Sequence, residues 1–102
     1  MKAKDVKAKF RQTKAWKEFR KRMFDKQDGK DIITGKKLCK GYHVHHLDMA
    51  AENYDQLIEE NFIAVNKQTH ETLHFLFRYY QKDPTVLDRL KTVLDRMNEL
   101  NK

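Results

Sequence analysis

The sequence predicts an α+β fold in which two short strands pair as an antiparallel hairpin, a helix follows them, and further helices stand before and after. Three observations predict it. Residues 42–47 and 61–65 are short runs of β-branched, aromatic and histidine side chains, each next to turn-forming residues. Residues 67–81 follow Asn66, a good helix start, and are apolar over much of a helical circumference. Residues 14–26 and 84–100 carry apolar stripes of helical period, with charged residues on the other face.

The 102 residues make one small domain with a modest core, because small domains bury a smaller share of their surface. One proline and three glycines exclude a collagen-like or linker-rich chain. The single cysteine, Cys39, excludes an internal disulfide framework and fits a reducing compartment; it is expected to be small and semi-buried. The lysine-rich N-terminus is followed by no apolar signal-type stretch, and no apolar run is long enough to span a membrane. A soluble cytoplasmic protein is expected. The net charge of +7 is uneven: residues 1–40 hold 15 Lys/Arg against 5 Asp/Glu, and residues 41–102 hold 7 against 10. Such a cationic segment attracts a polyanion by releasing condensed counterions, although a solvated lysine-rich helix has the same composition.

In chain order, Val6 and Phe10 form an apolar pair on a helix over residues 2–11. The stripe then changes phase, since Trp16, Phe19 and Met23 lie on another face. This places a break near Gln12 and Thr13, with Thr13 as the cap of a second helix. Trp16 and Phe19 are read as core. The outer face of that helix carries Lys14, Lys17, Lys21 and Arg22. Asp28 and Gly29 end it in a turn. Ile32 and Ile33 read as a short extended piece, Thr34 and Gly35 as a second turn, and Lys36, Lys37 and Lys40 lead into the histidines. Between the two strands a long loop is tacked to the core by Tyr54, Leu57 and Ile58. The helix over 67–81 is expected to be covered on more than one side. Asp83 as cap and Pro84 at the first position start the last helix, read as a packing helix or a dimer contact with no chemistry of its own.

All five histidines lie between positions 43 and 74. His70 and His74 are four apart on a helix, so both imidazoles share one face. His45, on the strand that this helix packs against, completes a three-imidazole site with positions left open, as in catalytic metal sites. His46 is adjacent and points to the opposite strand face, so it does not share the ion. It suits a general base, with an unperturbed pKa of about 6.5. Asn61 can bridge backbone groups across the hairpin loop and hold His45 and His46 in place. His43 shares the strand face of His45 and reads as a partly exposed residue able to touch phosphate.

The order His45-His46, Asn61, His70, His74, with separations of 15, 9 and 4 from His46 onward, resembles the HNH endonuclease motif. In particular it is similar to the histidine-rich version of the colicin-type DNases. The wider pattern, with Trp16, Phe19-Arg20, Thr34-Gly35-Lys36-Lys37-Leu38, His45-His46-Leu47-Asp48, Tyr54, Glu60-Asn61-Phe62, His70 and His74, is similar to small HNH proteins of phage genomes. The resemblance covers residues 14–80. It implies a ββα-metal finger over 41–81 within a single domain, with a basic helical arm over 1–27 and a C-terminal packing helix over 84–101. It implies His46 as base, His45, His70 and His74 as ligands, and Asn61 as organiser of the loop. The sequence departs from many HNH proteins in two ways. Asp31, Thr34, Asn66 and Thr69 stand where paired cysteines would hold a structural zinc, and His45 stands where Asp is common.

The expected function is that of a metal-dependent DNA endonuclease of low sequence specificity, nicking its target. One divalent ion is expected: Zn, Ni, Mn or Mg. Nitrogen ligands suit the first two. Candidates for clamping the scissile phosphate are Arg20, Arg22 and Arg78. The expected partners are DNA, through its phosphate backbone, and a second copy of the chain or phage packaging proteins; no membrane is expected. Two rival readings are a non-catalytic, metal-stabilised DNA-binding module and an interaction protein acting through the last helix. A purely structural site has no need of His46, which disfavours the first.

Overall fold

In a computed structural model of the chain, residues 8–48 and 56–102 are described. Helix α1 (Lys14–Lys26) is followed by strand β1 (His43–His46), a 3-10 turn (Glu59–Asn61), strand β2 (Phe62–Val65), helix α2 (Lys67–Lys82) and helix α3 (Thr85–Leu100). The fold is α+β, with an antiparallel two-stranded sheet in the register His43↔Val65, Val44↔Ala64, His45↔Ile63, His46↔Phe62. The chain divides into two compact units, Met1–His70 and Glu71–Lys102, and the division falls inside the uninterrupted α2. No helix among the described residues is long and apolar enough to cross a membrane.

The first unit is built on α1. Residues 8–10 are helical, and the chain turns before Thr13, whose hydroxyl oxygen accepts the Trp16 N–H at 3.2 Å. Val6 and the start of the expected first helix lie outside the described residues. The stripe of α1 then meets the sheet. Phe19, Met23 and Phe62 are fully buried together, with Trp16, Val44 and Leu57 packed around them. The Phe19 and Phe62 rings meet edge-on at 4.8 Å, a geometry that adds to their burial. Asp28 and Gly29 both take positive φ after α1. At Gly29, φ +67°, a β-carbon would also stand 3.0 Å from the tip of the Phe24 ring, which would have to shift, so glycine is favoured there.

Two polar side chains complete the backbone pairing. The Gln27 amide donates to the Ala64 carbonyl and accepts the Ala64 N–H, both at 2.8 Å, as a third strand would. The outer edge of β2 is thereby covered. Asp31, 1% exposed, is the second. Its Oδ1 accepts the N–H groups of Ile33 (2.8 Å) and Thr34 (3.0 Å), and its Oδ2 accepts that of Asn66 (2.8 Å). These bonds correct the reading of Ile32 and Ile33 as an extended piece. They form a turn with both side chains more than half exposed, because the carboxylate gathers the backbone N–H groups that follow it. Cys39 is exposed rather than semi-buried. Its N–H donates to Asn66 Oδ1 at 2.7 Å, which holds its backbone against the α2 start and leaves the thiol outside. Leu57 packs on the core as expected, Ile58 is 46% exposed, and Tyr54 lies outside the described residues.

In the second unit, Pro84 has helical dihedrals and Asp83 Oδ1 accepts the Thr85 N–H at 3.0 Å, which starts α3 as its sequence predicts. Neither α2 nor α3 contains a buried residue. Phe75, Phe77, Tyr79 and Tyr80 are exposed, so the expected cover on several sides of α2 is not found. Leu90, Val93, Leu94, Met97 and Leu100 are 40–66% exposed, so α3 forms as a helix but does not bury its stripe. Periodicity determines a helix and its apolar face, but it does not supply a surface to cover that face.

Phe19→Ala should cost about 3–5 kcal/mol in chemical denaturation; a loss under 1 kcal/mol would remove the Phe19 cluster as the core. For Asp31, burial raises the carboxyl pKa, but hydrogen bonds from the Thr34 and Asn66 N–H groups, the Thr69 hydroxyl and the Ile33 N–H outweigh it and hold the pKa below its ordinary value. A depressed folded pKa gives stability that is present above the unfolded pKa, about 3.9, and is lost as pH falls through the folded value. Wild type should therefore lose more stability than Asp31→Asn on acidification below about pH 4. Parallel stability–pH curves would contradict this.

Candidate functional site

The site grows from the alternation of β1. Val44 faces the α1 core, so His46 shares that face, while His43 and His45 project from the other. The ring contacts agree. His46 stacks flat on Phe62, its cross-strand partner, at 4.4 Å and 2°. His45 meets His70 edge-on at 4.9 Å and 75°. His43 stacks on His70 at 4.3 Å and 2°. One imidazole is thus turned to the core side, and two are gathered on the first turn of α2.

His45, His70 and His74, all half-buried, each offer a ring nitrogen, and these three atoms lie within 4.8 Å of one another. His70 and His74 are one turn apart on the same helix, so helical geometry alone sets their spacing. Nitrogens sharing a tetrahedral ion at about 2.1 Å stand about 3.4 Å apart. The separations here, up to 4.8 Å, are wider than that, so a shared ion would draw the three rings together; the donor set itself is one that suits a divalent ion. Three imidazoles make a nitrogen donor set, better matched to zinc or nickel than to magnesium.

Asn61 ends the 3-10 turn rather than beginning β2, and its carbonyl accepts the Leu47 N–H at 2.8 Å. This bond continues the strand pairing one step past His46. The positions Asp31, Thr34, Asn66 and Thr69 converge on the Asp31 carboxylate. Among the basic residues, Lys14, Lys17, Lys21, Arg22, Lys36, Lys37, Lys40 and Arg78 are exposed. Arg20 is half-buried, with its guanidinium 3.8 Å over the Tyr42 ring, a cation–π contact that engages its charge. Arg78 lies over Phe75 of its own helix at 5.6 Å, and Arg22 over Phe19 at 5.3 Å. Lys14 is paired with Glu18 at 3.8 Å on an exposed face, a contact of little energetic weight. An open cleft lined by Phe24, Asp25, Asp28, Gly29, Lys30 and Lys37 contains none of the histidines.

No protein-family model, no curated protein and no solved structure matches this chain. The site is therefore read from its own geometry.

For three residues the structure adds a contact that sequence reasoning does not supply. The period of two puts His43 beside His45, but only the structure shows it stacked on His70. Asp31 carries a local signal, an Asp followed by turn residues, but nothing in the sequence announces its bond to Asn66, 35 residues on. Gln27 has no sequence signal. Its role depends on the place where α1 ends against β2.

His70→Ala should weaken Zn or Ni binding at least tenfold in calorimetric titration, whereas Cys39→Ser should leave it unchanged. Equal affinity in wild type and His70→Ala would rule out this set of ligands.

Proposed function

We propose that this chain is a metal-dependent DNA endonuclease of the HNH type, with low sequence specificity. The observation that carries the reading is the disposition of imidazoles about β1: three ring nitrogens within 4.8 Å on one side, and His46 turned to the other. A divalent ion held by His45, His70 and His74 would supply Lewis-acid stabilisation of the charge that develops on the scissile phosphate and its leaving oxygen. His46 acts as general base and takes the proton from the attacking water. Phe62 supports this role by stacking on the His46 ring and restricting its plane. The Leu47–Asn61 backbone bond holds the strand end from which His46 projects.

The exposed cations of α1 (Lys14, Lys17, Lys21 and Arg22), together with Lys36, Lys37 and Lys40, supply phosphate contacts. Such contacts position a duplex without reading its bases. Arg20, half-buried over Tyr42, and the exposed Arg22 and Arg78 are the candidates for a phosphate clamp. One base and one ion site act on one strand, so nicking is the expected product, and a double-strand cut takes two events or two copies.

The test is metal-stripped protein on supercoiled plasmid, with Mg, Mn, Ni or Zn restored and His46→Ala alongside. Metal-dependent nicking is expected, reduced by 10²–10⁴ in His46→Ala with metal binding retained. Cleavage by the variant at the wild-type rate would remove His46 as base. Gel retardation without cleavage under every ion would favour the metal-stabilised DNA-binding module instead.

A further inference from the structure

We propose that Asp31 is a positioning residue for the metal centre: its carboxylate joins the 31–34 turn to the start of α2 and thereby sets where His70 stands. The proposal rests on the metal-centre reading and extends it to a residue distant in sequence. Asp31 is the only charged residue buried among those described. One oxygen is used within its own turn, on the Ile33 and Thr34 N–H groups, and the other reaches the Asn66 N–H at 2.8 Å. The Thr69 hydroxyl also bonds the carboxylate. Asn66 and Thr69 both connect directly to the His70 backbone. The Asn66 carbonyl accepts the His70 N–H at 2.9 Å, and Thr69 is its neighbour in the chain. The Asn66 side chain adds bonds to Lys37 and Cys39, so the helix start is tied to the same loop twice. A carboxylate beside the first turn of a helix is also favoured by the helix dipole.

Placement matters at His70 because its ring is packed from two directions, flat against His43 at 4.3 Å and edge-on to His45 at 4.9 Å. A shift of the α2 start moves that ring off both neighbours and away from the nitrogens of its partners. An amide cannot replace the carboxylate. Asp31→Asn keeps an oxygen for the turn but sets an N–H against the Asn66 N–H.

The test compares wild type with Asp31→Asn and with Gln27→Ala, which removes three hydrogen bonds in the same unit without touching α2. Two quantities are read on folded protein: Zn or Ni affinity by calorimetry, and the His70 imidazole resonances without metal. Asp31→Asn should weaken affinity about tenfold, as loss of support behind a ligand does, and shift the His70 signals. Gln27→Ala should lower stability and leave both readouts unchanged. Wild-type affinity in Asp31→Asn, or equal weakening in Gln27→Ala, would overturn the proposal. If wild type binds no metal, the metal-centre reading fails. The His70 resonances then decide alone: a shift confined to Asp31→Asn supports positioning, and identical spectra overturn it. If Asp31→Asn does not fold, Thr69→Val carries the same test. It should weaken affinity several-fold, and an unchanged affinity counts against the proposal.

Discussion

The antiparallel pairing of His43–His46 with Phe62–Val65 is the constraint on which the candidate site rests. Side chains alternate along a strand, so a slip of one residue would exchange its two faces. His45 would then turn to α1, and His46 would meet His70. No tight turn sets this register, because fifteen residues separate the strands. It is held instead by burial and by the backbone ladder itself. Phe62, Ala64 and Val65 are fully buried, and Val44 packs on the same core as Phe62. The Gln27 amide occupies both outward backbone groups of Ala64, and the Leu47–Asn61 bond extends the ladder at its far end.

Polar side chains support a core that is small. Six hydrophobic residues are buried among those described, which is little for a chain that must also hold several imidazoles in fixed orientations. Gln27 and Asp31 serve as substitutes for backbone partners, one on the edge of β2 and one at the start of α2. Buried polar groups are costly unless paired, and no buried side-chain nitrogen or oxygen among the described residues lacks a hydrogen-bond partner. Gln27 ties the end of α1 to β2, and Asp31 ties the turn that follows to the start of α2. His70 is therefore placed by the 31–34 turn as well as by the helix that carries it.

Much of the fold was legible because it rests on local periodicity and local turn chemistry. Trp16, Phe19 and Met23 read as a helical stripe and form the inner face of α1. Thr13, Asp28, Gly29 and Asp83 act where their side chains or backbone freedom place them. The strands and the last two helices begin and end within a residue or so of expectation. The reading failed where a long-range partner decides. Ile32 and Ile33 suit a strand by composition, but Asp31 gathers the following N–H groups into a turn. Leu90, Val93 and Met97 are exposed in the single chain, so the stripe is not packed within it, while its reading as a dimer contact is not touched by that exposure.

For the site, local periodicity dictates which side chains share a face. His70 and His74 follow from a helix of 3.6 residues per turn, and the separation of His45 from His46 follows from the pleat. Long-range packing dictates what these faces meet. It brought His45 to His70 across 25 residues, laid His43 flat on His70, set Phe62 under His46, engaged Arg20 on Tyr42 and closed Asp31 onto Asn66. The physical reason is one of range. Helix and strand periods are properties of the local backbone. The contact of two distant side chains depends on register and burial, which exist only once the chain has packed.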